Sequence, residues 1–268
     1  MIRYAIVGIV QGLTEFLPIS SSAHIVLAEA LTGLKSPGIV LEAAVHVGTL
    51  AAVLVAFRAD VAAILRSFGP RGSLELRKEV GLLIVGTVPI VALGLALRSV
   101  ASRLFESLWI VGGGLLLTAV AVIVADQRAR RGARRSSLGA PGAFGVGLAQ
   151  AVALVPGVSR SGVTMAAGVA GGLSPARAAR FSFLLSIPAV AGAAIIAVLD
   201  ARSLVGGHGA AIDVAGVLVG AVAAFVVGLA ALRFLLAVLR RGRLWGFAVY
   251  CAALAMATWV GAMVLPPD

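Results

Sequence analysis

The sequence predicts an all-α integral membrane fold: six transmembrane helices plus two re-entrant helical hairpins, arranged as an inverted-topology repeat in a single membrane domain, 1–268. Three observations lead there. Hydrophobic residues make up 60% of the chain and charged residues only 12%, with a mean hydropathy of +1.08; a soluble domain carries roughly 25% charged residues. Six apolar runs approach the roughly 20 residues needed to cross about 30 Å of hydrocarbon. A polar cluster near the start also returns, in altered form, about 139 positions later.

The first segment, 1–34, opens with an apolar stretch that runs into Gln11, Thr14 and Glu15. It has one early basic residue and no small-residue cleavage site, so it reads as part of the mature chain rather than as a signal peptide. Pro18 interrupts it, and proline ends or kinks a helix because it lacks a backbone donor. Two half-length helices in a re-entrant hairpin fit this pattern, with an ordinary kinked transmembrane helix as the alternative. Spans at 39–60, 80–98 and 108–125 complete repeat one, 1–125. A basic cytoplasmic linker, 126–142, leads to a second hairpin at 143–171, broken at Pro156-Gly157. Spans at 177–199, 213–236 and 244–265 complete repeat two, 143–268.

The shared offset is what argues for duplication. A shift of about 139 brings Gly8 onto Gly147, Gln11 onto Gln150, Ile19 onto Val158, Ser20 onto Ser159 and Ser22 onto Ser161. Val80-Gly81 falls on Val219-Gly220. Three spans per half is an odd number, so the second half inserts upside down. Charge agrees. The net charge of +11 comes from 22 basic residues against 11 acidic ones. Three loops hold most of the excess: Arg58, Arg66, Arg71, Arg77 and Lys78; Arg128, Arg130, Arg131, Arg134 and Arg135; and Arg240, Arg241 and Arg243. The inverted arrangement puts all three in the cytoplasm, where Lys and Arg concentrate, and both termini outside. The charge therefore reads as topology, and no nucleic-acid partner is expected. Cys251, the only cysteine, lies in an apolar span and reads as packing.

The chemistry sits at the two helix breaks. Ionisable groups in an apolar setting are costly and mark function by default, and inverted repeats place their sites at broken helices near the midplane. Glu15 follows Gln11 by four residues, so both face one way on a helix. A carboxylate with an amide oxygen is a hard pair suited to magnesium, which takes one or two carboxylates plus substrate phosphates; pairing of Glu15 with a buried arginine is the alternative. Arg160 is a forked phosphate donor, flanked by the Ser159 and Ser161 hydroxyls. Gly157 and Gly162 let backbone amides approach an anion, and a helix starting near Gly162 would direct its dipole there. Ser20, Ser21 and Ser22 open the other half-helix; they either cap it or supply a nucleophile beside a base. His24 stands three residues after Ser21, and the unperturbed pKa of histidine suits proton transfer near neutrality. Thr14 joins the substrate-binding face. Glu42 and His46, four apart on the first span, and Gln150 are expected behind the site, with structural pairing equally open for Glu42 and His46. Arg177 and Arg180 read as snorkelling. Arg98, Arg103 and Glu106 read as solvated, His208 as a loop residue, and Met165, Phe181 and Phe183 as core.

At these residues the chain resembles the undecaprenyl-diphosphatase family, the bacitracin-resistance type of membrane phosphatase. Gln11 and Glu15 match its (Glu/Gln)-x-x-x-Glu pattern. Leu17, Pro18, Ser20, Ser21 and His24 match Leu-Pro-x-Ser-Ser-x-x-His, and Pro156, Gly157, Ser159, Arg160, Ser161 and Gly162 match Pro-Gly-x-Ser-Arg-Ser-Gly. The resemblance covers the whole chain. It implies hydrolysis of undecaprenyl diphosphate to undecaprenyl phosphate and inorganic phosphate, which recycles the lipid carrier for peptidoglycan and confers bacitracin resistance when abundant. It also implies a divalent metal (Mg2+ or Ca2+), a plasma-membrane location and a site open to the periplasmic face. By that carry-over Glu15 and Gln11 serve the metal or the attacking group, His24 is general acid or base, Ser21 is the candidate nucleophile, and Arg160 with Ser159 binds phosphate. Gln11 departs from the glutamate of many members, leaving Glu15 as the motif's only carboxylate. The expected partners are a polyprenyl diphosphate and membrane lipid, with a homodimer left open. Transport is the rival class, because inverted repeats with broken helices also build transporters; a polyprenyl phosphate flippase, alone or alongside hydrolysis, is the alternative.

Overall fold

Every regular element among the described residues is an α-helix. The structure, a computed structural model, describes residues 1–32, 39–70, 72–97, 104–132, 135–205 and 213–264. Arg71, Arg98, Arg103, Arg134 and His208 lie outside them.

Helix α1 (Ile2–Phe16) stops where Leu17 turns extended, as the residue before a proline is driven to do. Helix α2 (Ser21–Thr32) follows at once. These helices have 15 and 12 residues. At 1.5 Å per residue each is about 18–23 Å long, too short to cross the hydrocarbon alone. Helices α7 (Ala140–Val152) and α8 (Arg160–Ala170) repeat this arrangement around the second break. The two helices of each pair pack on one another.

The long helices are α5 (Leu74–Leu97), α6 (Leu108–Ala129), α9 (Pro175–Val205), α10 (Val214–Arg240) and α11 (Trp245–Val264). Among the described residues five helices are long and apolar enough to span a membrane, and the count becomes six when α3 (Ile39–Ala56) and α4 (Arg58–Ser67) are taken as one bent span. The protein is a multi-pass membrane protein. The bend corrects an expectation. The first span stops at Ala56 instead of continuing to residue 60, and the chain turns by 77°. The expected 58–79 loop contains α4 and the first turns of α5. The cause is charge: Arg58, Asp60 and Arg66 stay out of hydrocarbon, while Val61 and Ile64 pack on the core, the habit of an interfacial helix.

Packing crosses between the halves. Helix α1 lies mainly against α10, and α7 mainly against α5. Small residues permit both approaches, as at other membrane helix interfaces. A Cβ on Gly8 would stand 2.2 Å from the Gly220 carbonyl oxygen, and one on Gly147 would stand 2.3 Å from that of Gly86. Helix α11 packs along α6, where the indole of Trp259 covers Gly112 and donates to the Trp109 carbonyl at 3.2 Å. At the other end of that pair, buried Asp126 accepts from the Leu244 amide (2.8 Å) and from Arg130. Phe16 meets Phe183 edge-on at 5.8 Å, and Phe57 lies against the same ring. Arg180 does not snorkel. It is partly buried and donates to Asp60 of α4 at 2.6 Å and to Glu79 of α5, which clamps the bent span to α9.

Gly8→Ala should destabilise the detergent-solubilised protein by about 1–3 kcal/mol, the usual cost of overpacking. Gly81→Ala, at a position with nothing within 4 Å, should be neutral or slightly stabilising because alanine is the better helix former. Thermal unfolding of the two variants checks this; equal melting temperatures would contradict the packing.

Candidate active site

Both helix breaks end in the same construction. At the first, Ser20 sits in the left-handed region (φ 68°), a position that costs a non-glycine residue energy. Its hydroxyl caps α2 by accepting from the Ala23 amide at 3.3 Å and shares a hydrogen bond with Ser22 at 3.1 Å. At the second, the Ser159 hydroxyl caps α8 by accepting from the Gly162 amide at 3.2 Å and shares a hydrogen bond with Ser161 at 3.2 Å. Serine accepting from the amide three residues on is the preferred N-cap. Here the loop takes positive φ earlier, at Gly157 (87°), where a side chain would also strike the Val111 carbonyl. Thr118 of α6 fixes this loop. Its hydroxyl accepts from the Ser159 amide at 2.8 Å and donates towards the carbonyls of Gly114 and Gly157.

The tips touch through reciprocal serines. The Gly157 amide donates to the Ser22 hydroxyl at 3.3 Å, and the Ser161 hydroxyl donates to the Leu17 carbonyl at 3.2 Å. A Cβ on Gly162 would lie 3.3 Å from that of Pro18. Consequently α2 and α8 begin side by side. Their N-termini thus meet, and helix N-termini are places where anions are held.

An ion pair crosses this junction. Arg160, the first residue of α8, donates from Nη2 to Glu15 Oε1. The side chains are 16% and 9% exposed, so each charge relies on the other. The other carboxylate oxygen, Oε2, accepts from the Ser21 hydroxyl at 2.8 Å and from Gln11 Nε2 at 3.1 Å. The residues 11, 15, 21 and 160 thus form one hydrogen-bonded chain. Among the described residues the other guanidinium N–H groups of Arg160 have no acceptor, which leaves its fork available.

The remaining predicted residues fall into place around this chain or away from it. Ser21 bonds to Glu15 and not to His24, so the pairing suggested by the three-residue spacing does not form. The reason is the turn at Ser20, whose carbonyl draws His24 Nδ1 to 2.7 Å while Nε2 lies 2.7 Å from the hydroxyl of Tyr250. Thr14 is buried and turns back on its own helix, donating to the Val10 carbonyl at 2.7 Å. His46 turns back on its own helix, with its Nδ1 2.8 Å from the Glu42 carbonyl. Gln150 is fully buried, with both ends of its amide unpartnered; no hydrogen bond ties it to the ion pair. Tyr250 and Thr118 escaped the sequence reading, since neither stands near a motif.

A divalent metal can be weighed against these groups. Among the described residues no cluster of three or more His, Cys, Asp or Glu could hold one. The hard oxygens on offer are the Glu15 carboxylate and Gln11 Oε1, which is buried without a partner. Two protein oxygens are a donor set of the size magnesium takes when substrate phosphates complete the shell.

Residues 4–257 match the family described as Bacitracin resistance protein BacA. Proteins named undecaprenyl-diphosphatase are similar over nearly their whole length. That of Desulfosudis oleivorans is 42% identical, covering 97% of this chain and 98% of its own. That of Korarchaeum cryptofilum is 43% identical, covering 94% and 95%, and that of Idiomarina loihiensis is 38% identical, covering 95% and 96%.

Arg160→Ala should lower stability by about 3 kcal/mol or more, because it leaves the Glu15 carboxylate buried without a counter-charge. Adding Glu15→Gln should recover most of the loss. A double-mutant cycle on melting temperature reads the coupling; purely additive losses would contradict a mutually dependent pair.

Proposed function

The chain belongs to the bacitracin resistance protein family, and on that premise we propose that it is an undecaprenyl-diphosphate phosphatase. It hydrolyses undecaprenyl diphosphate to undecaprenyl phosphate and inorganic phosphate, recycling the lipid carrier of cell-wall synthesis. The observation that carries this reading is the meeting of two helix N-termini, a forked guanidinium and a serine already bonded to a carboxylate. Phosphoryl transfer demands mainly positioning and charge neutralisation, and this junction offers both.

The diphosphate enters where Arg160 faces Glu15. Its terminal phosphoryl oxygens draw the guanidinium away from the carboxylate, while the first-turn amides of α2 and α8 take the rest of the charge. Glu15, released from Arg160 and still bonded to Ser21, becomes the base for that hydroxyl. The Ser21 oxygen forms a bond to the terminal phosphorus. The bond from that phosphorus to the bridging oxygen breaks, undecaprenyl phosphate leaves, and the Ser21 proton passes to Glu15. Water then cleaves the phosphoserine, releasing phosphate and restoring the hydroxyl. His24, beyond Ser20, exchanges protons with the leaving group or the water. Glu15 and Gln11 would hold a divalent ion, Mg2+ or Ca2+, which when bound neutralises diphosphate charge. Ser20, Ser22, Ser159 and Ser161 shape the phosphate cradle, while His46 and Glu42 support Glu15 from behind.

The architecture proposed is the inverted repeat, 1–125 against 143–268, with re-entrant hairpins at both breaks. The crossed packing of α1 on α10 and α7 on α5 supports it, as does the recurrence of one serine cap geometry at an offset of 139 residues. With the three basic loops in the cytoplasm, the first hairpin enters from the outer face of a bacterial plasma membrane, and the site opens there. Transport gains no support from the named relatives, and we set it aside.

Purified protein given undecaprenyl diphosphate and Mg2+ should release orthophosphate. Ser21→Ala should lose at least about 100-fold, the lower range for removing an activated group. Arg160→Lys keeps the counter-charge but loses the fork and should lose at least about tenfold. Acid quenching should trap phosphate on Ser21. Wild-type rates from Ser21→Ala would remove serine from the reaction.

A further inference from the structure

We propose that Tyr250 is the positioning residue for His24, reaching it from the opposite half of the chain. Both imidazole nitrogens are held. Nδ1 lies 2.7 Å from the Ser20 carbonyl. A carbonyl oxygen only accepts, so Nδ1 carries the hydrogen, and Nε2 of the neutral ring is the basic nitrogen. That nitrogen lies 2.7 Å from the Tyr250 hydroxyl, which therefore donates to it. The two rings are parallel within 1°, with centroids 5.8 Å apart. The Ser20 carbonyl thus sets the tautomer, and the phenol holds the ring plane of a side chain 226 positions away.

The phenol is not a structural prop for the helix that carries it. Tyr250 is 44% exposed and makes this hydrogen bond from an open face of α11. The placement of α11 against the first hairpin is secured by its neighbour: Cys251 is fully buried and donates from Sγ to the Pro18 carbonyl at 3.3 Å. Further anchors are Trp259 on the Trp109 carbonyl and the Leu244 amide on Asp126. Removing one hydroxyl leaves all three intact.

A hydroxyl is also the right group for a histidine that moves protons. It donates to the neutral ring and accepts from the protonated one, so it stays a partner in both states. Main-chain or carboxylate partners would favour only one. Ser20 serves at the same time as the cap of α2 and as the Nδ1 acceptor, so the nucleophile's helix and the imidazole are oriented from one residue. Tyr250 completes that orientation from outside the motif. The inference rests on the phosphatase reading for its catalytic meaning and on geometry alone for the contact.

The test is Tyr250→Phe in the full-length protein, with two readouts. In steady-state phosphate release from undecaprenyl diphosphate, kcat should fall about tenfold, the worth of one hydrogen bond, with KM unchanged within about twofold. In histidine-selective 15N spectra the chain has only three histidines. The His24 Nε2 signal should shift as it loses its hydrogen bond, while the Nδ1–H tautomer set by Ser20 stays. Unchanged kcat, or a raised KM at full kcat, would overturn the positioning role, and so would a His24 spectrum identical to wild type. Wild-type protein that releases no phosphate would instead refute the phosphatase reading, while the spectral change would still report the Tyr250–His24 contact.

Discussion

The structure depends on one ion pair between its two halves. A lone buried carboxylate or guanidinium is costly, and neither Glu15 nor Arg160 could be kept buried without the other. Their pairing welds α1 to the start of α8 and brings the two helix breaks together. In the proposed reaction the same pair is provisional. A diphosphate offers Arg160 more charge and better-matched oxygens than one carboxylate does. The interaction that stabilises the tips is thus the one that, on the proposed reading, a phosphorylated lipid replaces.

Around the pair, backbone geometry carries most of the design. Breaking a helix inside a membrane exposes amides and carbonyls that have no water to satisfy them. Each break resolves this with a serine cap, a second serine two residues on and a reciprocal bond to the opposite tip. The bonds that satisfy the two helix ends are thus the ones that hold the tips together.

Much of this was legible in the sequence. Long apolar runs located the long apolar helices, with ends up to six residues off, since hydrocarbon thickness permits few alternatives. The motif residues Gln11, Glu15, Ser21 and Arg160 do converge. What could not be read follows a pattern. Pro18 and Pro156 stand at breaks, yet Pro89 and Pro188 lie inside continuous helices, because neighbouring helices can re-satisfy a freed backbone. The bend after Ala56 was hidden by averaging hydropathy across Arg58 and Asp60. Arg180 looked like a snorkelling cation because its partners, Asp60 and Glu79, come from helices more than 100 residues earlier. His24 was assigned to Ser21 by helical spacing, but the left-handed turn at Ser20 redirected both side chains. Tyr250 gave no local signal at all, since its role exists only once α11 meets the first hairpin.

The measurement that bears most directly on the central claim is an experimental structure with a non-hydrolysable prenyl methylene-diphosphonate and Mg2+ bound. The account predicts the terminal phosphonate between the two tips, within hydrogen-bond distance of both Arg160 and Ser21, with the guanidinium turned from Glu15 to the ligand. A headgroup seated on one tip alone or elsewhere, with the Glu15–Arg160 pair undisturbed, would contradict it.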